Sequence, residues 1–146
     1  MTKLEIIEET VDFYSQDTNR RASKSNGLSG FICSYENEFG NKCALGRCFD
    51  TENSNYSIIR YYEGNISSLI EFLITKEGEV IEKIKDENII YQELENVLLP
   101  LYRGHELIFW KDLQNLHDTE AFWLKKGLTE KGLIYVQDLK QKYAKS

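Results

Sequence analysis

The sequence predicts an α+β fold: one compact domain over residues 1–146, with about four to five helices packed on a small antiparallel sheet. Three observations carry that expectation. Apolar residues recur at helical spacing at both ends of the chain and between them, while short runs of strand formers flanked by turn residues lie in the first half. Hydrophobic residues make up 41% of the chain, with seven Phe, nine Tyr and two Trp, which is ample for one core. A single proline, 29% charge and no repeat, low-complexity tract or linker leave nothing to divide the domain.

The first helix is expected over roughly Lys3–Ser15. Thr2 followed by Glu5 fits a capping box, and Leu4, Ile7, Val11 and Tyr14 keep helical spacing opposite Glu5, Glu8, Glu9 and Asp12. Gln16–Gly30 is polar and turn-rich and reads as a loop. Phe31–Tyr35 reads as a strand, Glu36–Lys42 supplies turn chemistry through Phe39-Gly40-Asn41, and Cys43–Phe49 fits either a strand or a short helix. Tyr56–Tyr62 is rich in strand formers. Ser67–Ile74 fits a short helix burying Leu69, Ile70, Leu73 and Ile74, Lys76–Glu79 a turn, and Tyr91–Leu99 a helix stopped near Pro100. Glu106–His117 presents Phe109, Leu113 and Leu116 on one face, with Trp110 and His117 beside it. Thr129 then N-caps a final helix carrying Leu133, Val136, Leu139 and Tyr143, whose last turn is rich in lysine.

Charge narrows the function classes. A net charge of -6 and a pI near 5.0 disfavour nucleic acid as a partner, because phosphate neutralisation needs a basic face. Leu128-Thr-Glu-Lys-Gly132 is similar to a phrase of winged-helix regulators, but the charge weighs against that reading. The acidic N-terminal stretch does not fit a signal peptide, and no apolar run reaches the ~20 residues that span a bilayer. Three cysteines without an export signal read as reduced thiols, so the expectation is a cytoplasmic protein with no membrane partner.

Chemistry concentrates in Cys33–Cys48, which holds every cysteine and the segment Cys43-Ala-Leu-Gly-Arg-Cys48. Cys33, Cys43 and Cys48 with His105 or His117 are the right ligand types for zinc, but the spacing lacks a Cys-x-x-Cys knuckle. Arg47 beside Cys48 could lower a thiol pKa if the two met in space. His117-Asp118 is half of a catalytic pair on paper, yet helix neighbours diverge by about a hundred degrees, so the two are not expected to face each other. No P-loop or dinucleotide fingerprint is present, and no cofactor is expected. The candidate ligand site is a cluster of cations, Arg20, Arg21 and Lys24 with Arg47, beside Ser25 and Gly27, suited to phosphate or carboxylate. Its competing reading is that Arg20 and Arg21 pair with helix acids or anchor the loop on carbonyls.

Three patches together carry a resemblance: Tyr14-Ser-x-Asp17-x-x-Arg20-Arg21-Ala22, Gly40-x-x-Cys43-Ala44-x-Gly46-Arg47-Cys48, and Leu113-Gln114-x-Leu116-His117-Asp118 with Trp123 and Gly127-Leu128-Thr129. The chain resembles a family of small uncharacterised proteins of bacteriophages, prophages and their bacterial hosts. The resemblance implies a phage-type accessory binding protein, of counter-defence type, that inhibits or sequesters a host protein or a nucleotide-like anionic signal in the host cytoplasm. It implies no catalytic residues, and it leaves a homo-oligomer open. Two alternatives stand beside it: a small enzyme using Cys43 or Cys48 with His117, and a zinc-stabilised interaction module.

Overall fold

The computed structural model describes residues 1–21, 23–25, 31–33, 35–37, 39–60, 62, 66–74 and 87–144, with backbone alone at 23–25, 31–33, 67, 71, 72, 74 and 87–90. Among these, helices dominate: α1 (Lys3–Gln16), α2 (Tyr56–Ile59), α3 (Ile66–Ile74), α4 (Glu87–Val97), α5 (Leu107–Asp118) and α6 (Glu130–Tyr143). Two short antiparallel ladders complete the α+β fold, β1 (Ser23–Ser25) on β2 (Phe31–Cys33), and β3 (Trp123–Leu124) on β4 (Gly127–Leu128). Four 3₁₀ turns, Thr18–Arg20, Gly46–Cys48, Pro100–Tyr102 and Glu120–Phe122, link them.

Local chemistry sets the ends of α1 and α6. Thr2 accepts from the Glu5 amide while Glu5 reaches back to the Thr2 amide, so two orphan donors of the first turn are satisfied reciprocally. Thr129 caps α6 by accepting from the Gly132 amide at 3.1 Å. The buried faces are slightly rotated from expectation. On α1, Ile6, Ile7, Thr10 and Tyr14 are buried and Leu4 and Val11 only partly so. On α6, Val136, Leu139 and Tyr143 face the core, but Leu133 is 52% exposed. Phe109, Trp110, Leu113, Leu116 and His117 of α5 fill the centre, as their spacing requires.

Helix α1 packs on α6 and on β4, α5 packs on α6, and α3 packs on α2 and α4. The close approach of Phe122 to α6 needs Gly132: a Cβ there would lie 2.4 Å from the Phe122 carbonyl oxygen. Three carbonyls in the last turn of α5 are given side-chain donors. Thr119 serves Asn115, the Trp123 indole serves Leu116 at 2.8 Å, and the Arg21 guanidinium serves His117 with two bonds of 2.6 and 3.0 Å. A cation at that end also meets the negative pole of the helix.

Three expectations are corrected. Ser23–Ser25, read as loop, is a strand held by its ladder to Phe31–Cys33; cross-strand pairing sets it, not periodicity. Tyr56–Ile59, read as strand-rich, is one helical turn. Asn53 accepts from the Asn55 amide and starts the turn, and Tyr56 and Ile59, three apart, both reach the core. The helix expected at Tyr91–Leu99 runs Glu87–Val97, because Leu98 leaves it to bridge Phe49. The Cys43–Phe49 ambiguity resolves into a 3₁₀ turn over Gly46–Cys48. The Lys76–Glu79 turn lies outside the described residues.

Candidate functional site

The segment Cys43–Cys48 is the most constrained part of the chain. Cys43, Ala44, Leu45 and Cys48 are fully buried. A Cβ on Gly46 would lie 2.1 Å from the Tyr35 carbonyl oxygen, so the backbone crossing there admits glycine alone. Burial pushes the Cys43 thiol up to about 12, helped by the Asp118 carboxylate, and likewise the Cys48 thiol up to about 12. Both are small apolar fillers at neutral pH and not thiolates. Cys33 lies outside the residues with described side chains. Among the described residues, no group of three or more His, Cys, Asp or Glu could hold a metal ion.

Arg47 leaves this turn and enters a polar junction between α1 and the Pro100–Tyr102 turn. It donates to Glu9 at 2.6 Å, to the Tyr102 hydroxyl at 3.3 Å and to the Thr10 hydroxyl at 3.2 Å, while Tyr102 also donates to Glu9 at 2.6 Å. Its guanidinium lies 5.3 Å from the Phe13 ring centre and 5.8 Å from that of Tyr102. The side chain is 13% exposed. Burial alone would favour the neutral form; its neighbours, Cys48 and the bonded Glu9 among them, reverse this and raise its pKa. Glu9, Thr10 and Tyr102 therefore occupy the donors of Arg47 that the candidate anion site would use.

The other proposed cations divide. Arg20 donates to the Phe13 carbonyl at 3.1 Å and to the Gln16 side chain at 3.2 Å, with its guanidinium 4.7 Å from the Phe13 ring centre. Phe13 thus brings Arg20 and Arg47 together. Arg21 points elsewhere, onto the His117 carbonyl and 5.5 Å from the Trp123 ring centre. The side chain of Lys24 lies outside the described residues. Beside Phe13, an open groove of about 410 Å³ is lined by Glu5, Glu8, Glu9, Asp12, Phe13 and Gln16. Four carboxyl groups there repel an anion.

His117 departs from its sequence reading. Its Nδ1 lies 2.7 Å from Asp118 Oδ1, so the adjacent pair does meet. Asp118 is the last residue of α5, with Thr119 already extended, and at a fraying end the hundred-degree rule for helix neighbours relaxes. The carboxylate only accepts, so Nδ1 carries the proton and Nε2 keeps its lone pair. That Nε2 is buried without a hydrogen-bond partner, the ring is 0% exposed, and Tyr14 packs edge-on at 4.9 Å. Burial holds this imidazole below its ordinary value of 6.5. It is a packing histidine oriented by a carboxylate.

The outward-facing counterpart lies six residues before Cys43–Cys48 and was read only as turn chemistry. Asn37 organises a turn through Phe39, Gly40 and Asn41. Its side-chain oxygen accepts from the amides of Phe39 and Asn41, both at 3.0 Å, its amide donates to the Asn41 carbonyl, and its carbonyl accepts from Gly40. Gly40, at φ 80°, closes the turn. At the tip Phe39 is 79% exposed, whereas Phe49 and Phe109 are buried and Phe13 and Phe122 partly so. The signal available in the sequence was the Asn-x-Phe-Gly-Asn spacing, which marks a tight turn carrying an aromatic side chain.

No family model matches the chain, and no curated protein or solved structure matches it either. No helix among the described residues is long and apolar enough to cross a membrane.

Proposed function

We propose that this chain is a small phage-type accessory protein that acts by binding and occupying a partner protein, as a counter-defence protein would in a host cytoplasm, and not by catalysis. The observation that carries the reading is the placement of Cys43, Cys48 and His117, reactive side chains among the described residues. Cys43 and Cys48 are fully buried thiols pushed up to about 12, and His117 is fully buried with Tyr14 packed edge-on against its ring. A nucleophile must reach its substrate and a base must reach the proton it takes. A protein partner is favoured over a nucleotide-like anion because Arg20, Arg21 and Arg47 already donate to the chain's own oxygens, and the groove beside Phe13 is acidic.

The test is affinity capture from a bacterial lysate, with both protein and small-molecule mass spectrometry on the eluate. The expected result is a saturable protein partner, retained by a chain carrying Cys43→Ala and Cys48→Ala that still folds. A nucleotide in the eluate that disappears with Arg20→Ala, or a turnover lost with Cys43→Ala, would overturn the reading.

A further inference from the structure

We infer that Phe39 is the anchor of the docking surface, and that it inserts into a ring-sized apolar cleft, rimmed by basic residues, on a protein other than this one. The inference rests on the binding role proposed above and names where that binding occurs.

Single exposed apolar residues are ordinary on protein surfaces. Phe39 differs in the stiffness of what holds it. Besides the Asn37 network, residues 36 and 42 form a β-bridge at the base of the turn. The Lys42 carbonyl accepts from the buried Tyr14 hydroxyl. On the other side Glu36, 7% exposed, is ion-paired with Arg60 and also takes a backbone bond from its own amide to the Arg60 carbonyl. Tyr35, next to it, is buried and stacked on Phe49 at 5.6 Å. The turn is therefore fastened to the core at both feet, and its tip carries an aromatic ring that is 79% exposed.

Two consequences follow for the partner. A ring carried on a backbone already ordered before binding has only its own rotamers left to fix on docking, and such aromatic anchors dominate interface energetics. Its complement is a concave apolar pocket of a folded protein, since a flat surface would cover only part of a ring at the tip of a tight turn. The chain's net charge of -6 steers it toward a basic rim and away from phosphate backbones.

The test places a photo-crosslinking phenylalanine analogue at position 39 and, as controls, at Leu124 and Leu133, which are 64% and 52% exposed. The full-length chain is irradiated in bacterial lysate. The expected result is one heterologous adduct from position 39, suppressed by excess wild-type chain but not by excess Phe39→Ala chain. Capture of the same protein by Phe39→Ala should fall at least about tenfold, roughly 1.4 kcal/mol, with an unchanged urea midpoint. Phe39→Tyr should keep most of the affinity. An adduct of twice the chain's mass, an adduct from position 124 or 133 alone, or equal competition by Phe39→Ala would each overturn the anchor while leaving a binding role standing. Failure of the wild-type chain to capture any protein would remove both.

Discussion

Residues 36–42 and 43–48 are consecutive in the chain and opposite in design. The second segment turns its distinctive residues inward: two thiols, a glycine whose backbone lies under the Tyr35 carbonyl, and an arginine bonded to Glu9. The first segment buries its charged foot, Glu36, and turns its aromatic outward. The comparison teaches that unusual composition can mark a packing constraint, while ordinary turn residues hold the exposed feature. Substitutions should separate the two segments cleanly, stability on one side and binding on the other.

The largest stability effect is expected at Gly46. Its Cβ would strike a backbone carbonyl that cannot rotate away, so Gly46→Ala should cost about 3 kcal/mol, read from a denaturant midpoint at constant slope. An unchanged midpoint would mean that the crossing with Tyr35 is looser than described. Next comes Arg47→Ala, which strands Glu9 and Tyr102. We expect roughly 2–3 kcal/mol, below the full cost of breaking a buried pair because Glu9 keeps 34% of its side-chain surface in water. Arg47→Lys should recover less than half, since one ammonium cannot reach Glu9, Thr10 and Tyr102 together.

Acid should weaken the fold through His117 and His105, both held below 6.5 chiefly by burial. The sign is fixed by linkage. The unfolded chain takes up protons below pH 6.5 while the folded chain resists, so stability is full above that pH and falls on acidification toward the lower folded values. The slope is at most about 1.4 kcal/mol per pH unit for each proton. Urea midpoints at pH 7.5 and 5.5 measure it, and His117→Gln should flatten the dependence. A midpoint that rises on acidification would contradict the buried, neutral imidazole.

Much of this was readable in the sequence where the cause is local. Thr2 with Glu5 and Thr129 announce their helices because capping involves residues three apart. The Phe109, Leu113 and Leu116 face follows from helical periodicity. The competing reading of Arg20 and Arg21, as carbonyl anchors, was also within reach and describes their contacts. What the chain did not reveal depends on which residues meet in space, which no local pattern records. Arg47 looked available because Glu9, Thr10 and Tyr102 lie dozens of positions from it. Ser23–Ser25 has no alternating pattern and is a strand only through its ladder. Phe39 could be placed on a turn, but nothing local says whether a turn tip folds back on the core.

The most direct test of inward chemistry is thiol reactivity in a Cys33→Ser chain, where the aromatic disulfide reagent DTNB reports on Cys43 and Cys48 alone. With both thiols buried and near pKa 12, labelling at pH 8 should be slow, limited by unfolding, and accelerated by each destabilising substitution in step with its loss of stability. Fast labelling of either thiol in the fully folded chain would contradict the account and return Cys43–Cys48 to the candidates for catalysis.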